Sequence, residues 1–481
     1  MTALRSLGPE LSEAPSRRRR LFILGICCMS LLLVALDNSI VNVALPSIHK
    51  DLKASLSQLQ WTLDAYTLVI ASLLMLAGST ADRIGRKRVF MTGVVTFTVG
   101  SGLCALAPNL NVLIGARVLQ AIGGSMLNPV ALSIVRNVFE DPKERAQAVG
   151  IWGSVVGIAT SLGPVLGGAL VDGPGWRWVF VVNLPIGALA LALTFFFVPD
   201  SRAEHARRPD PVGQLLILVG FATLVYGIIE GQKDGWGSLP IVTCFAVALL
   251  SFVSLIRYEL RRPEPLIEVR FFRSRPFAGA TGSAVAAFAA LGGFLFLNTL
   301  YLQDARGFSA LHAGLYSLPT ALMMLIFAPI SGRIVGNRGG RRPLIAAGVL
   351  VTAGPLLFLG LSPHTSDALL FLAYVVIGCG FGLVNPPISN TAISGMPPAM
   401  SGVAAAVAST GRQVGFALGV ALAGAVTGLG ATLQIGPSFA AATHPGWAVL
   451  GGMGALVLVL ALWSTTAAAE RTAVETAQRL G

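Results

Sequence analysis

Three ionisable residues sit inside long apolar runs. Asp37 falls in LDNSIVNVALP (Leu36 to Pro46), Arg117 in LIGARVLQAIGGSMLNP (Leu113 to Pro129) and Arg412 in GRQVGFALGVAL (Gly411 to Leu422). In a bilayer such residues are costly unless they pair or face water. A carboxylate beside an arginine can be charged and paired, or protonated and neutral, which makes it a device for coupling to protons. Asp37 lies past Leu21 by about 24 Å of helix, in the outer half of its run, and Arg117 enters its own run from the same side. Their similar depth makes them partners; a static structural pair is the other reading. Arg412 has no acid partner that spacing identifies. Other chemistries find little support. None of the five lysines (Lys50, Lys53, Lys87, Lys143, Lys233) follows a glycine, so there is no G-K-(S/T) phosphate loop. There is no H-E-x-x-H and no G-x-S-x-G, and the five histidines and five cysteines form no metal-ligand spacing. No enzyme activity, metal or cofactor is expected; a proton gradient is the expected energy source.

The elements that must position these residues are membrane helices. The chain has 481 residues, 54% hydrophobic and only 12% charged, where soluble chains carry about 25% charged residues. Fourteen apolar runs are near bilayer-spanning length, at 21–45, 61–81, 89–107, 111–135, 149–171, 179–198, 213–231, 241–256, 277–303, 314–336, 344–362, 366–386, 402–430 and 445–467. With the N-terminus in the cytoplasm, 27 of the 34 Lys and Arg fall in cytoplasmic segments and only Lys50, Lys53, Arg177, Lys233 and Arg306 fall outside. The positive-inside rule therefore places both termini in the cytoplasm, and the excess of 29 Arg over 5 Lys with the Ala- and Gly-rich spans points to a high-GC bacterium, hence to a bacterial cytoplasmic membrane. The net charge of +12 is then topological and does not indicate nucleic acid. The expected division is a basic N-terminus (1–20), a six-helix bundle (21–198), a linker with two inserted helices (199–276), a second six-helix bundle (277–467) and a cytoplasmic tail (468–481). A weak repeat supports two halves: GSTADRIGRKR (Gly78 to Arg88) and SGRIVGNRGGRRP (Ser331 to Pro343) each follow the second helix of a half.

The first of these loops resembles the major facilitator superfamily pattern G-x-x-x-D-R-x-G-R-(K/R), through Gly78, Asp82, Arg83, Gly85, Arg86 and Lys87. Physically, Asp82 and Arg83 form a charge cluster able to latch two helix bundles; the resemblance makes the loop a gating element. The second copy has Gly336 and Asn337 where the acid would stand.

Within that superfamily the chain resembles the fourteen-helix drug:proton antiporters. L-D-x-(T/S)-I-V-N-V-A-L-P is matched from Leu36 to Pro46, including Asp37 and Asn42. Arg117, Gln120 and Gly123 match R-x-x-Q-G-x-G, with Ala121 replacing one glycine. Gly150, Gly163, Pro164, Gly167 and Gly168 match the antiporter motif of the fifth helix, with Ala159 replacing its second glycine. The resemblance implies an all-α major facilitator fold of two six-helix bundles plus two inserted central helices. It implies export of drugs or antibiotics in exchange for protons, with Asp37, Arg117 and Gln120 coupling the proton. A nutrient, lipid or metabolite transporter on the same fold is the alternative. Asp64, Tyr66, Asn42 and Arg412 are further candidates for substrate or proton access, Asp64 near the outer mouth of the second helix. Glu230 reads as a solvated acid at the outer end of the seventh. With Asp37 the one acid deep in the membrane, a small lipophilic or monovalent cationic substrate is expected. The expected functional unit is a monomer in the lipid bilayer.

Overall fold

The computed structural model describes residues 16–203, 210–262, 264–394, 401–427 and 439–480, and every regular element in them is a helix. The first six are α1 (Arg17–Leu52), α2 (Leu56–Ile84), α3 (Arg86–Ala105), α4 (Leu110–Val138), α5 (Pro142–Asp172) and α6 (Trp178–Phe197). Next come α7 (Pro211–Asp234) and α8 (Leu239–Glu259). The last six are α9 (Arg275–Ala305), α10 (Ala310–Arg338), α11 (Arg341–Leu356), α12 (Asp367–Ile393), α13 (Ser401–Ala425) and α14 (Phe439–Ser464). Among the described residues twelve helices are long and apolar enough to cross a bilayer. The two expected spans outside that set fall on α5 and the 16-residue α11.

Local chemistry sets the helix ends. Ser55 and Gln58 close a capping box at the start of α2, and the Asn109 side chain caps α4. Gly85, at φ +118°, turns the chain between α2 and α3.

The packing repeats with an offset of eight helices. α1 lies against α4, α5 and α6; α9 lies against α12, α13 and α14. α2–α4, α3–α4 and α3–α6 recur as α10–α12, α11–α12 and α11–α14. The two units meet where α5 packs on α10 and α2 on α13, again an equivalent pair. α7 packs against both α2 and α13, with α8 outside it.

Residues 468–481 are an expected tail, yet Ala467–Leu480 forms a fifteenth helix, α15. Its Ala469, Ala473 and Thr476 make one buried stripe at helical spacing. That stripe packs on the 3-10 turn Val269–Arg273 and the start of α9, where Thr472 Oγ1 accepts the Arg275 N–H at 3.0 Å. Arg17, the loop from Asp82 to Arg88 and α15 lie on one face of the molecule, its basic face.

Candidate functional site

Asp37 and Arg117 meet inside the first six helices. Arg117 Nη1 donates to Asp37 Oδ2 at 2.5 Å and to Gln120 Oε1 at 2.7 Å. Gln120 Nε2 donates in turn to Asp37 Oδ1 at 2.8 Å. The three residues predicted to couple the proton thus form one closed ring, and each is fully buried. Arg117 Nε donates to the Thr62 carbonyl at 3.2 Å, and the guanidinium lies 3.9 Å from the centre of the Tyr66 ring. This stacking replaces part of the hydration a buried cation loses. Tyr66, an expected access residue, is 1% exposed and serves as the floor beneath Arg117.

Two members of the network escaped the sequence reading. Asn183 Nδ2 donates to Asp37 Oδ1 at 3.0 Å and to Ser101 Oγ at 3.1 Å. Ser101 Oγ accepts from Gln120 at 3.2 Å and donates to the Phe180 carbonyl at 2.9 Å. The Asp37 carboxylate therefore gathers donors from α4 and α6, and α3 holds those donors in place. Gly123 makes this possible: a Cβ there would run into the Phe97 backbone nitrogen, so only glycine lets α3 approach α4 so closely.

A separate cavity of about 410 Å³ lies between the two six-helix units, in their centre and the half toward the basic face. Asn38 and Ser39 line it, next to Asp37 in the chain, while Asp37 itself points away into the first unit. Arg412 also lines it, and its Nη1 donates to Ser389 Oγ at 3.4 Å.

The opposite face is sealed by contacts between the units. A Cβ at Gly168 would meet the Ala310 carbonyl of the second unit at 2.5 Å, and one at Gly163 would run into Ser39 Oγ of α1 within the first. Gly167 faces Ile40, whose Cα a Cβ would meet at 3.2 Å, so the motif's small residues admit α1 on one side and α10 on the other. Asp172, not foreseen, accepts the backbone N–H groups of Ala310 (3.0 Å) and Leu311 (2.8 Å) at the start of α10. Gln303 Nε2 donates to the Val43 carbonyl at 2.9 Å, and Gln60 Nε2 to the Val420 carbonyl at 2.8 Å. Asn42 lies behind this seal, 2% exposed, its Nδ2 donating to the Asn38 carbonyl. Gly150 is exposed and far from the seal, with nothing near a Cβ placed on it.

Two residues sit differently from expectation. Asp64 is not at an open mouth: it is fully buried, and neither carboxylate oxygen has a hydrogen-bond partner among the described residues. The turns around it explain this, since Trp61 and Leu68 pack on Val225, Ile229, Ala417 and Ala421 of α7 and α13. Glu230 is not freely solvated either; its Oε1 accepts the Trp61 indole N–H at 3.0 Å. In the loop between α2 and α3, Asp82 Oδ1 accepts from Arg86 Nε and Nη2 at 3.1 and 3.0 Å, while Arg83 is exposed. The loop's backbone bonds run to Ser201 and Ala203, within the chain that leads to α7. Gly78 packs near Pro129 of α4.

A charged network locked in one helix bundle, beside a cavity shared with a second bundle of repeated packing, defines a secondary transporter. The chain belongs to the major facilitator superfamily: the family model of that description matches residues 27–420. It is 38% identical over 419 residues to the multidrug resistance protein Stp of Mycobacterium tuberculosis, covering 87% of this chain and 78% of that protein. It is 36% identical to the tetracenomycin C resistance and export protein of Streptomyces glaucescens (82% and 74% covered). It is 33% identical to the methylenomycin A resistance protein of Streptomyces coelicolor (89% and 90% covered). Among solved structures it shares the fold of a peptide transporter (POT) bound to sulfate, with TM-score 0.68 at 15% identity, covering 94% of this chain and 95% of that one.

Proposed function

We propose that this protein is a proton-coupled exporter of small lipophilic compounds, drugs or antibiotics among them, in the bacterial cytoplasmic membrane. The observation that carries the reading is the Asp37–Arg117–Gln120 ring, closed off from the cavity that α1 also lines. The names of the relatives, which speak of multidrug resistance and of resistance and export, supply the direction of transport. The basic face is taken as cytoplasmic by the positive-inside rule, which puts both termini there. The described conformer is then closed outward, with its cavity on the cytoplasmic side.

The cycle follows from the ring. Protonation of Asp37 from the outer side removes its negative charge, and Arg117 keeps Gln120, the Thr62 carbonyl and the Tyr66 ring as partners. α1 is then freed from α4 and rocks against α5 and α10, which lowers the affinity of the cavity wall it carries. Release of the proton to the cytoplasm restores the ion pair and the binding-competent wall. The proton gradient is the only energy source required, no cofactor takes part, and one chain holds both sites, so a monomer suffices.

Expression in a susceptible bacterium lacking its own efflux pumps tests the direction. Cells making the protein accumulate less of a lipophilic fluorescent compound, and a protonophore reverses the difference. Increased, protonophore-sensitive uptake contradicts export.

A further inference from the structure

We propose that the central cavity binds organic anions, flat apolar molecules bearing a carboxylate or phenolate, and that Arg412 receives the negative group. The inference rests on the export reading above and specifies its substrate.

Among the described residues that line the cavity, Arg412 is the sole charged one. Its described partner is a neutral hydroxyl, Ser389 Oγ, at 3.4 Å, and none of the described ion pairs includes it. An arginine cannot shed its proton to escape this position. Asp37, the acid best placed by depth to answer it, is spent on Arg117 and fully buried away from the cavity. A guanidinium in a site of low polarity gains a great deal from a carboxylate or phenolate, which it can grip with two parallel N–H groups. It repels an organic cation. The sequence leaves cationic substrates open, but the described lining offers no carboxylate to meet one.

The rest of the wall fits an aromatic anion. Trp152, Phe288 and Phe416 supply apolar faces, and the Trp152 indole N–H has no acceptor among the described residues, so a second donor stands ready. Asn128 and Gln413 add neutral polar contacts. The volume of about 410 Å³ suits a small organic molecule.

A matched set of probes tests this: 7-(diethylamino)coumarin-3-carboxylate, its uncharged ethyl ester and its cationic aminoethyl amide, which share one aromatic body. Binding is read by fluorescence anisotropy with the full chain in nanodiscs, against empty nanodiscs. The carboxylate is expected to bind at least about tenfold tighter than the cationic amide. Arg412→Gln removes that preference, so that carboxylate and amide bind alike, and measurable binding of the ester shows that the variant folds. Arg412→Lys keeps the charge and retains part of the preference. Equal or tighter binding of the cation, no binding of the carboxylate, or a preference that survives Arg412→Gln overturns the proposal. A carboxylate that binds with this pattern but is not moved by proteoliposomes counts against export and leaves the anion site standing.

Discussion

Arg117 Nη1 donates to Asp37 Oδ2 at 2.5 Å, while the next residue along the chain, Asn38, lines the cavity. One turn of α1 thus presents the carboxylate of a buried ion pair to the interior of the first helix bundle and a cavity wall to the space between bundles. In the proposed cycle a change of charge on one face moves the other without the two ligands ever meeting.

The guanidinium fork matters as much as its charge. Lysine at position 117 cannot donate to Asp37, Gln120 and the Thr62 carbonyl together, nor lie flat on Tyr66. Arg117→Lys is expected to fold yet lose transport by about tenfold or more, measured as initial rates in proteoliposomes at equal protein content. Undiminished rates would show that the charge alone is needed.

Asn183 is predicted to be part of the coupling machinery and not mere packing. Asn183→Leu removes its bonds to Asp37 and Ser101 and leaves buried oxygens short of donors. Thermal unfolding in detergent should report a loss of about 1–3 kcal/mol, with a fall in proton-driven transport. Ser101→Ala, which removes a hydroxyl one step from the carboxylate, should be milder in both readouts.

Gly168 governs closure of the face opposite the basic one. A side chain there meets the Ala310 carbonyl and Leu311 Cα, both at 2.5 Å, and pries α5 from α10. Gly168→Val, combined with Asn42→Cys in a chain cleared of its native cysteines, should raise labelling of position 42 by a membrane-impermeant maleimide added from outside. Labelling equal to that of the glycine parent would show that the seal lies elsewhere.

Trp61 and Glu230 tie α7 to α2. Trp61→Phe keeps an aromatic ring beside Tyr226 but removes the 3.0 Å bond to Glu230. It should lower stability by about 1–2 kcal/mol, whereas Glu230→Gln, which preserves an acceptor, should be nearly neutral. Equal effects of the two would mean that the charge of Glu230, not the hydrogen bond, holds the contact.

Much of this site was legible in the sequence, because the membrane makes charged residues conspicuous. Asp37 and Arg117 stood out against apolar runs, and equal depth alone paired them. Asn183 and Ser101 carry no charge and blend into helices where asparagine and serine serve many ends; only their shared distance to Asp37 reveals them. Asp64 and Glu230 were misplaced because position near the end of a run suggests solvent, and a sequence does not show that α7 and α13 cover that face. Asp172 closes the antiporter motif, but its role depends on α10 arriving from the other half of the chain. The tail was missed as a helix because α15 is short and polar, and its buried stripe appears only beside α9.

The central claim is that Asp37 carries the coupled proton. The most direct test is pH-gradient-driven transport of a fluorescent substrate in inverted membrane vesicles, comparing the parent with Asp37→Asn. The account predicts protonophore-sensitive transport in the parent and its loss in the variant, with substrate still bound. Proton-driven transport persisting in Asp37→Asn would contradict it and move the proton to another buried acid, with Asp64 the first to examine.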